Sequence, residues 1–155
     1  MLKISWDDYH GMLKVLDVKI QQAAHPSVDN RIHLVGIPRG GTLVALHLSY
    51  LNPAYTVDLD VFNTKRNLNS PSVVVVDDVL ETGKTRRDVM NKDGVLECLN
   101  CFAVLVDKSN VHGTEPADVS VMRLDSKIWI EFPYENVLDP KEITSRKERG
   151  YGHDE

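Results

Sequence analysis

Residues 72–85 read Ser-Val-Val-Val-Val-Asp-Asp-Val-Leu-Glu-Thr-Gly-Lys-Thr and constrain the fold more than any other stretch of the chain. The four valines, Val73, Val74, Val75 and Val76, suit a strand buried on both faces, because β-branched side chains fit a pleated sheet and no polar alternation marks a wet side. The strand is expected to end in charge. Asp77 and Asp78 then stand where a parallel strand emerges from its sheet, and residues 82–85 make a small-residue turn into a short helix over 84–92.

Such a junction favours an anion beside a diol or a cation. Gly83 opens backbone angles closed to other residues, so successive amides can converge on one centre, while Thr82 and Thr85 add hydroxyls and the helix start adds positive potential. Asp77 and Asp78 need the opposite partner, either sugar hydroxyls or Mg2+ held through its waters. A Walker A loop is excluded despite Gly83-Lys84-Thr85, since Asp78 occupies the position where that loop requires its first glycine. A receiver domain is excluded as well, because Lys108 follows Asp78 too closely.

Residues 73–85 resemble the 5-phosphoribosyl-1-pyrophosphate (PRPP) motif of the type I phosphoribosyltransferases: a hydrophobic run, two acidic residues, two hydrophobic residues, a variable residue and Thr-Gly-x-Thr. The resemblance implies that Asp77, Asp78, Glu81, Thr82, Gly83, Lys84 and Thr85 bind the ribose phosphate. It also implies that Asp77 and Asp78 face Mg2+ and that Glu81 is the catalytic base. The purine-using members usually carry Asp at the Glu81 position, one methylene shorter.

Upstream, residues 32–37 form a second buried strand, followed by Pro38-Arg39-Gly40-Gly41 and by Thr42, read as the N-cap of a helix through Leu51. This loop has the position of the family's pyrophosphate loop. By that resemblance Arg39, Gly40 and Gly41 bind pyrophosphate, and the peptide before Arg39 is strained or cis. Residues 55–62 alternate like a half-buried strand near an edge. The polar stretch 63–70 carries Lys65 and Arg66, which either belong to a solvated connection or, as the resemblance implies, help hold pyrophosphate from a loop that closes over the site.

Ser5 and Asp8 form a variant capping box ahead of a helix over 6–24, whose Tyr9, Met12, Leu13, Leu16 and Ile20 recur at helical spacing. After the central motif, residues 101–106 read as another buried strand ending in Asp107-Lys108, and residues 119–122 as a brief one. The pair Cys98 and Cys101 reads as two small apolar residues of a strand rather than a redox or zinc site, because no second ligand pair accompanies it. Residues 129–135, Trp-Ile-Glu-Phe-Pro-Tyr-Glu, pair an aromatic plate with a rigid Pro-aromatic turn. They resemble the Trp-Ile-Glu-x-Pro-Trp-Asp segment of bacterial xanthine-guanine phosphoribosyltransferases. That likeness implies base contacts from Trp129, Ile130 and Glu135, with Lys108 at the 6-oxo group. Tyr134 for Trp and Glu135 for Asp are departures.

Alternating strands and helices, with ligand loops after two buried strands, imply an α/β fold: a doubly wound, mostly parallel sheet flanked by helices, with a small C-terminal hood. The 155 residues suit one domain over 1–138 with a charged tail over 139–155. A formal net charge of −5 argues against a broad nucleic-acid-binding face. No apolar run reaches the ~20 residues that cross a bilayer, and no signal-peptide core follows the first residues, so a cytoplasmic protein with no membrane partner is expected. The resemblance implies a Mg2+-dependent, homo-oligomeric (dimeric or tetrameric) enzyme acting on PRPP and a purine base or nucleoside monophosphate. A non-catalytic PRPP or nucleotide sensor on the same fold is the alternative.

Overall fold

The computed structural model describes residues 1–24, 31–58, 72–91 and 99–135. Lys65 and Arg66, Cys98 and the tail over 139–155 lie outside the described residues. Among the described residues five strands form one sheet in the order β3-β2-β4-β5-β6, every neighbouring pair parallel: β2 (Ile32–Gly36), β3 (Tyr55–Asp58), β4 (Val73–Leu80), β5 (Leu99–Asp107) and β6 (Val119–Arg123). Among the described residues β3 is an edge strand, as the alternation from residue 55 suggested, and residues 59–62 of that stretch lie outside the described residues.

The valines of β4 divide between two cores because successive side chains point to opposite faces. Val74 and Val76 join a cluster with α1 (Trp6–Ala23) and α2 (Gly40–Leu51), whereas Val73 and Val75 join Val35, Ile37, Phe102, Val104 and Val89 of α3 (Lys84–Met90). Helices therefore cover both faces. All four valines are at most 4% exposed, and each contributes roughly 1.5–3 kcal/mol of burial.

Helix α1 begins as expected: the Ser5 hydroxyl oxygen accepts from the Asp8 amide at 3.1 Å and the Asp8 carboxylate accepts from the Ser5 amide at 3.4 Å. Its buried stripe is Tyr9, Met12, Leu13, Leu16 and Ile20. The start of α2 corrects the sequence reading. Arg39, without a side-chain cap bond, occupies the N-cap, and Thr42 sits inside the first turn, its amide donating to the Ile37 carbonyl and its hydroxyl to the Gly36 carbonyl. The tight return of the chain after β2 takes the bonds that a capping threonine would have made.

A second correction concerns β4, which does not stop before the aspartates. It runs on to Leu80 because β5 keeps pairing with it, Asp77 opposite Val104 and Leu80 opposite Asp107. On its other side β2 ends at Gly36, opposite Val76. The two aspartates thus lie in a strand that is paired on one side and opened on the other. Helix α3 ends at Met90, short of residue 92, and β5 begins at Leu99 rather than at Cys101.

A two-stranded parallel pair, β1 (Leu2–Lys3) with β7 (Ile130–Glu131), followed by a 3-10 turn over Pro133–Glu135, makes the hood. Its N-terminal half has no periodic signal in the sequence. Among the described residues no helix is long and apolar enough to cross a membrane.

Candidate functional site

The site forms where β2 stops and β4 continues. The chain leaves β2 through Ile37, whose amide donates to the Val76 carbonyl at 2.9 Å, and turns through a cis Pro38–Arg39 peptide into Gly40 and Gly41. Both glycines lie against the exposed flank of β4. A Cβ on Gly41 would stand 2.3 Å from the Val76 carbonyl oxygen and 2.9 Å from the Asp77 Cα, and one on Gly40 would stand 1.8 Å from Asp78 Oδ2. No other residue type fits this approach. Arg39 itself is exposed at the rim.

The acidic pair is buried, each residue 8% exposed. Asp77 Oδ1 accepts from the Asp78 amide at 2.9 Å, and Asp78 Oδ1 accepts from the Val79 amide at 2.8 Å. Asp78 Oδ2 accepts from the Tyr134 hydroxyl at 2.9 Å. Burial, and after it the Asp78 charge, hold the Tyr134 phenol far above its ordinary range, so it remains a donor.

After β4 the chain makes the expected loop. Gly83 takes the left-handed conformation (φ 74°) as the N-cap of α3, and the Lys84 amide makes a long 3.3 Å bond to the Thr82 hydroxyl. Among the described residues the amides of Thr82, Gly83 and Thr85 have no partner within the chain, so they are available to an oxyanion. Lys84 projects outward and is exposed.

The loop is braced from positions that local pattern does not reveal. The Thr114 hydroxyl donates to the Glu81 carbonyl at 3.1 Å, and the Arg87 guanidinium to the Thr82 carbonyl at 3.1 Å. Arg86, 9% exposed, lies 4.9 Å over the Phe102 ring and donates to the Glu115 and Pro116 carbonyls, fixing the segment that carries Thr114. Asp107 closes the same corner, accepting from the Ser109 amide at the start of α4 (Ser109–His112) and from the Ala117 amide. The only sequence sign of this bracing was a charge at a strand end and an Arg inside a short helix.

On the hood side a cleft is lined by Asp78, Val79, Glu81, Trp129, Ile130, Phe132 and Glu135. Three residues proposed for base recognition and the candidate base therefore face one space. Trp129 is 37% exposed and its carbonyl accepts from the Leu2 amide, while Ile130 is buried. Glu135 accepts from the Phe132 amide at 2.8 Å and fixes the turn. Lys108 is almost wholly buried, its ammonium paired with the Glu81 carboxylate and donating to the Ile128 carbonyl at 3.1 Å. The extra methylene of Glu81 reaches this ammonium, so two residues expected to address the base address each other.

Asp77 and Asp78 also decide what metal the site suits. Among the described residues no group of three or more acidic, histidine or cysteine side chains could cage a cation. Two carboxylates that already accept from amides and a phenol could hold Mg2+ only if it kept most of its shell as water or ligand oxygens, and do not suit a metal with an all-protein shell.

No family model and no curated protein sequence matches the chain. Solved structures do. A purine phosphoribosyltransferase from Pyrococcus horikoshii superposes with a TM-score of 0.69 at 22% identity, covering 89% of this chain and 96% of its own. The xanthine-guanine-hypoxanthine phosphoribosyltransferase of Helicobacter pylori gives 0.68 at 18% identity over 93% and 98%. An orotate phosphoribosyltransferase from Aeropyrum pernix gives 0.51 at 19% over 96% and 79%, so the architecture is shared by proteins named for different bases. A five-stranded parallel sheet with helices on both faces and a hood across the strand ends, superposing on these structures over most of its length, is the type I phosphoribosyltransferase fold.

Proposed function

We propose that this protein transfers the 5-phosphoribosyl group of PRPP to a ring nitrogen of a 6-oxopurine, releasing pyrophosphate and serving purine salvage. The observation that carries the reading is the meeting of two half-sites at the end of β4: an amide-lined loop beside paired aspartates, and a cleft shared by Glu81 with Trp129, Ile130 and Glu135. One half suits a phosphorylated sugar and the other a planar base.

In this reaction a ring nitrogen of the base bonds to ribose C1 as the bond from C1 to the pyrophosphate oxygen breaks. The imidazole-ring proton of the purine passes to Glu81, and the bond electrons leave with pyrophosphate. The 5'-phosphate is held by the amides and hydroxyls of residues 82–85, and the ribose hydroxyls face Asp77 and Asp78. This positioning turns an encounter into a near-attack complex. Amides around Arg39, Gly40 and Gly41 receive the leaving group, where donors aimed at developing charge are most effective. Mg2+ carried in by PRPP would supply further neutralisation of that leaving charge. Trp129 offers a face to the purine, the Ile130 carbonyl an acceptor to its 2-substituent, and Lys108 a donor to its 6-oxo group once the purine has drawn it from Glu81.

The Glu81–Lys108 ion pair favours a second reading, a PRPP or nucleotide sensor without turnover, since it engages the base and the base-recognition donor together. Incubation with PRPP, Mg2+ and each of guanine, xanthine and hypoxanthine, followed by quantification of nucleotide and pyrophosphate, separates the two. Stoichiometric nucleotide and pyrophosphate support the enzyme. Calorimetric binding of PRPP or of a nucleoside monophosphate with no product supports the sensor, and binding of neither refutes both.

A further inference from the structure

Tyr134 is a hood residue that reaches into the strand-end half of the site. Its ring stacks on Phe132 (5.4 Å between centroids, 3° between planes) and meets Tyr9 in a T-shaped contact at 5.4 Å, with Tyr9 and Phe132 6.3 Å apart, so it is held in a three-ring cluster. Its hydroxyl then donates to Asp78 Oδ2 at 2.9 Å. That oxygen has little room elsewhere. It lies over Gly40, where a Cβ would come within 1.8 Å, while the other oxygen is tied to the Val79 amide at 2.8 Å.

From this geometry we infer that Tyr134 is a positioning residue for sugar recognition, its hydroxyl fixing the Asp78 carboxylate between the glycine loop and the hood. The inference rests on the phosphoribosyl-transfer reading and adds to it a residue at which the chain departs from the Trp of the segment it resembles. A hydrogen bond from a phenol so held neutralises part of the carboxylate's charge and selects one orientation of its remaining lone pairs. The diol of a ribose then meets an acceptor already aimed. A tryptophan at this position could carry the ring contacts but not an O–H donor.

The test uses Tyr134→Phe, which keeps both ring contacts and deletes the hydroxyl, with calorimetric titration of three probes. Inorganic phosphate reports the loop over 82–85 alone, ribose 5-phosphate adds the sugar hydroxyls, and PRPP with Mg2+ adds the pyrophosphate. Ribose 5-phosphate and PRPP are expected to bind about five- to twentyfold more weakly to the variant, a part of the worth of one hydrogen bond to a charged group because that bond is also made in the free protein, while phosphate affinity stays within twofold. The same substitution on an Asp78→Asn background should have little further effect, because the two residues act as a unit. Equal weakening of all three probes, or an undiminished effect without the Asp78 charge, would assign Tyr134 a merely structural role and overturn the inference. Unchanged PRPP affinity in the variant, with the wild type binding, overturns the inference alone. Failure of the wild-type protein to bind PRPP overturns the functional reading beneath it as well.

Discussion

Replacing Glu81 by Gln isolates the chemistry proposed for this site from its architecture. Glutamine has the same length, and its amide oxygen can still accept from the Lys108 ammonium, which the Ile128 carbonyl also holds at 3.1 Å. The stability cost is therefore that of exchanging a charged acceptor for a neutral one, about 1–2 kcal/mol. For a chain of this length that lowers the melting midpoint by roughly 2–8 °C. Turnover should suffer far more. A positioned base is worth about 10²–10⁴ in rate, or roughly 3–5 kcal/mol of barrier, and an amide cannot take the purine proton. PRPP affinity should hold within a few-fold, because the phosphate amides and Asp77 are untouched. The assay is single-turnover nucleotide formation at saturating PRPP, run beside PRPP calorimetry and a melt. A rate within threefold of the wild type in a folded, PRPP-binding variant would refute the assignment of Glu81 as base. Glu81→Asp should keep at least a tenth of the rate, since it retains a carboxylate while withdrawing it from Lys108.

Gly41→Ala should lower stability by about 1–3 kcal/mol or more, because the new methyl meets the β4 backbone at 2.3 Å and 2.9 Å, where nothing can give; urea unfolding reads it. Gly83→Ala, at φ 74°, should cost about 1–2 kcal/mol and weaken phosphate binding, measured by denaturation and calorimetry. The Tyr9 hydroxyl, kept protonated by burial, is hydrogen-bonded with His47 Nδ1 at 2.8 Å, and burial, then His10, lower the His47 pKa below its usual 6.5. The unfolded chain therefore takes up this proton first as pH falls, so stability should decline below about pH 6.5 and level off beneath the folded pKa. Melting curves between pH 7.5 and 5 should show a shallower decline in His47→Gln, and an equal slope would dismiss His47 as the cause.

Much of the arrangement was legible because it is local. The valines of β4, the stripe and capping box of α1 and the Thr82–Gly83 turn each depend on neighbours within a few residues, and each stands as its sequence suggested. What escaped depends on partners far along the chain. The continuation of β4 through Asp77 and Asp78 is set by β5, whose pairing extends four residues beyond the end of β2 alignment at Val76, to Leu80. Thr42 looks like a cap in isolation and loses that role to the turn at Ile37. The two-residue β1 has no period to detect, and Lys108 gave no sign that it would pair with Glu81.

The unequal lengths of β2 and β4 tie these features together. Where β2 ends, β4 loses its ladder partner on one side, and that flank must be covered by something that neither clashes nor leaves donors and acceptors bare. Gly40 and Gly41 supply the cover because they alone can approach Asp78 and the Val76 carbonyl so closely. Their approach in turn confines the Asp78 carboxylate, and the hood closes the remaining side through Tyr134. The same truncation that exposes β4 thus forces a glycine loop, a buried acidic pair and a hood residue together at one strand end. Lengthening β2 by even one paired residue would displace Gly40 from Asp78, and the glycine loop, the acidic pair and the hood could no longer meet at that strand end.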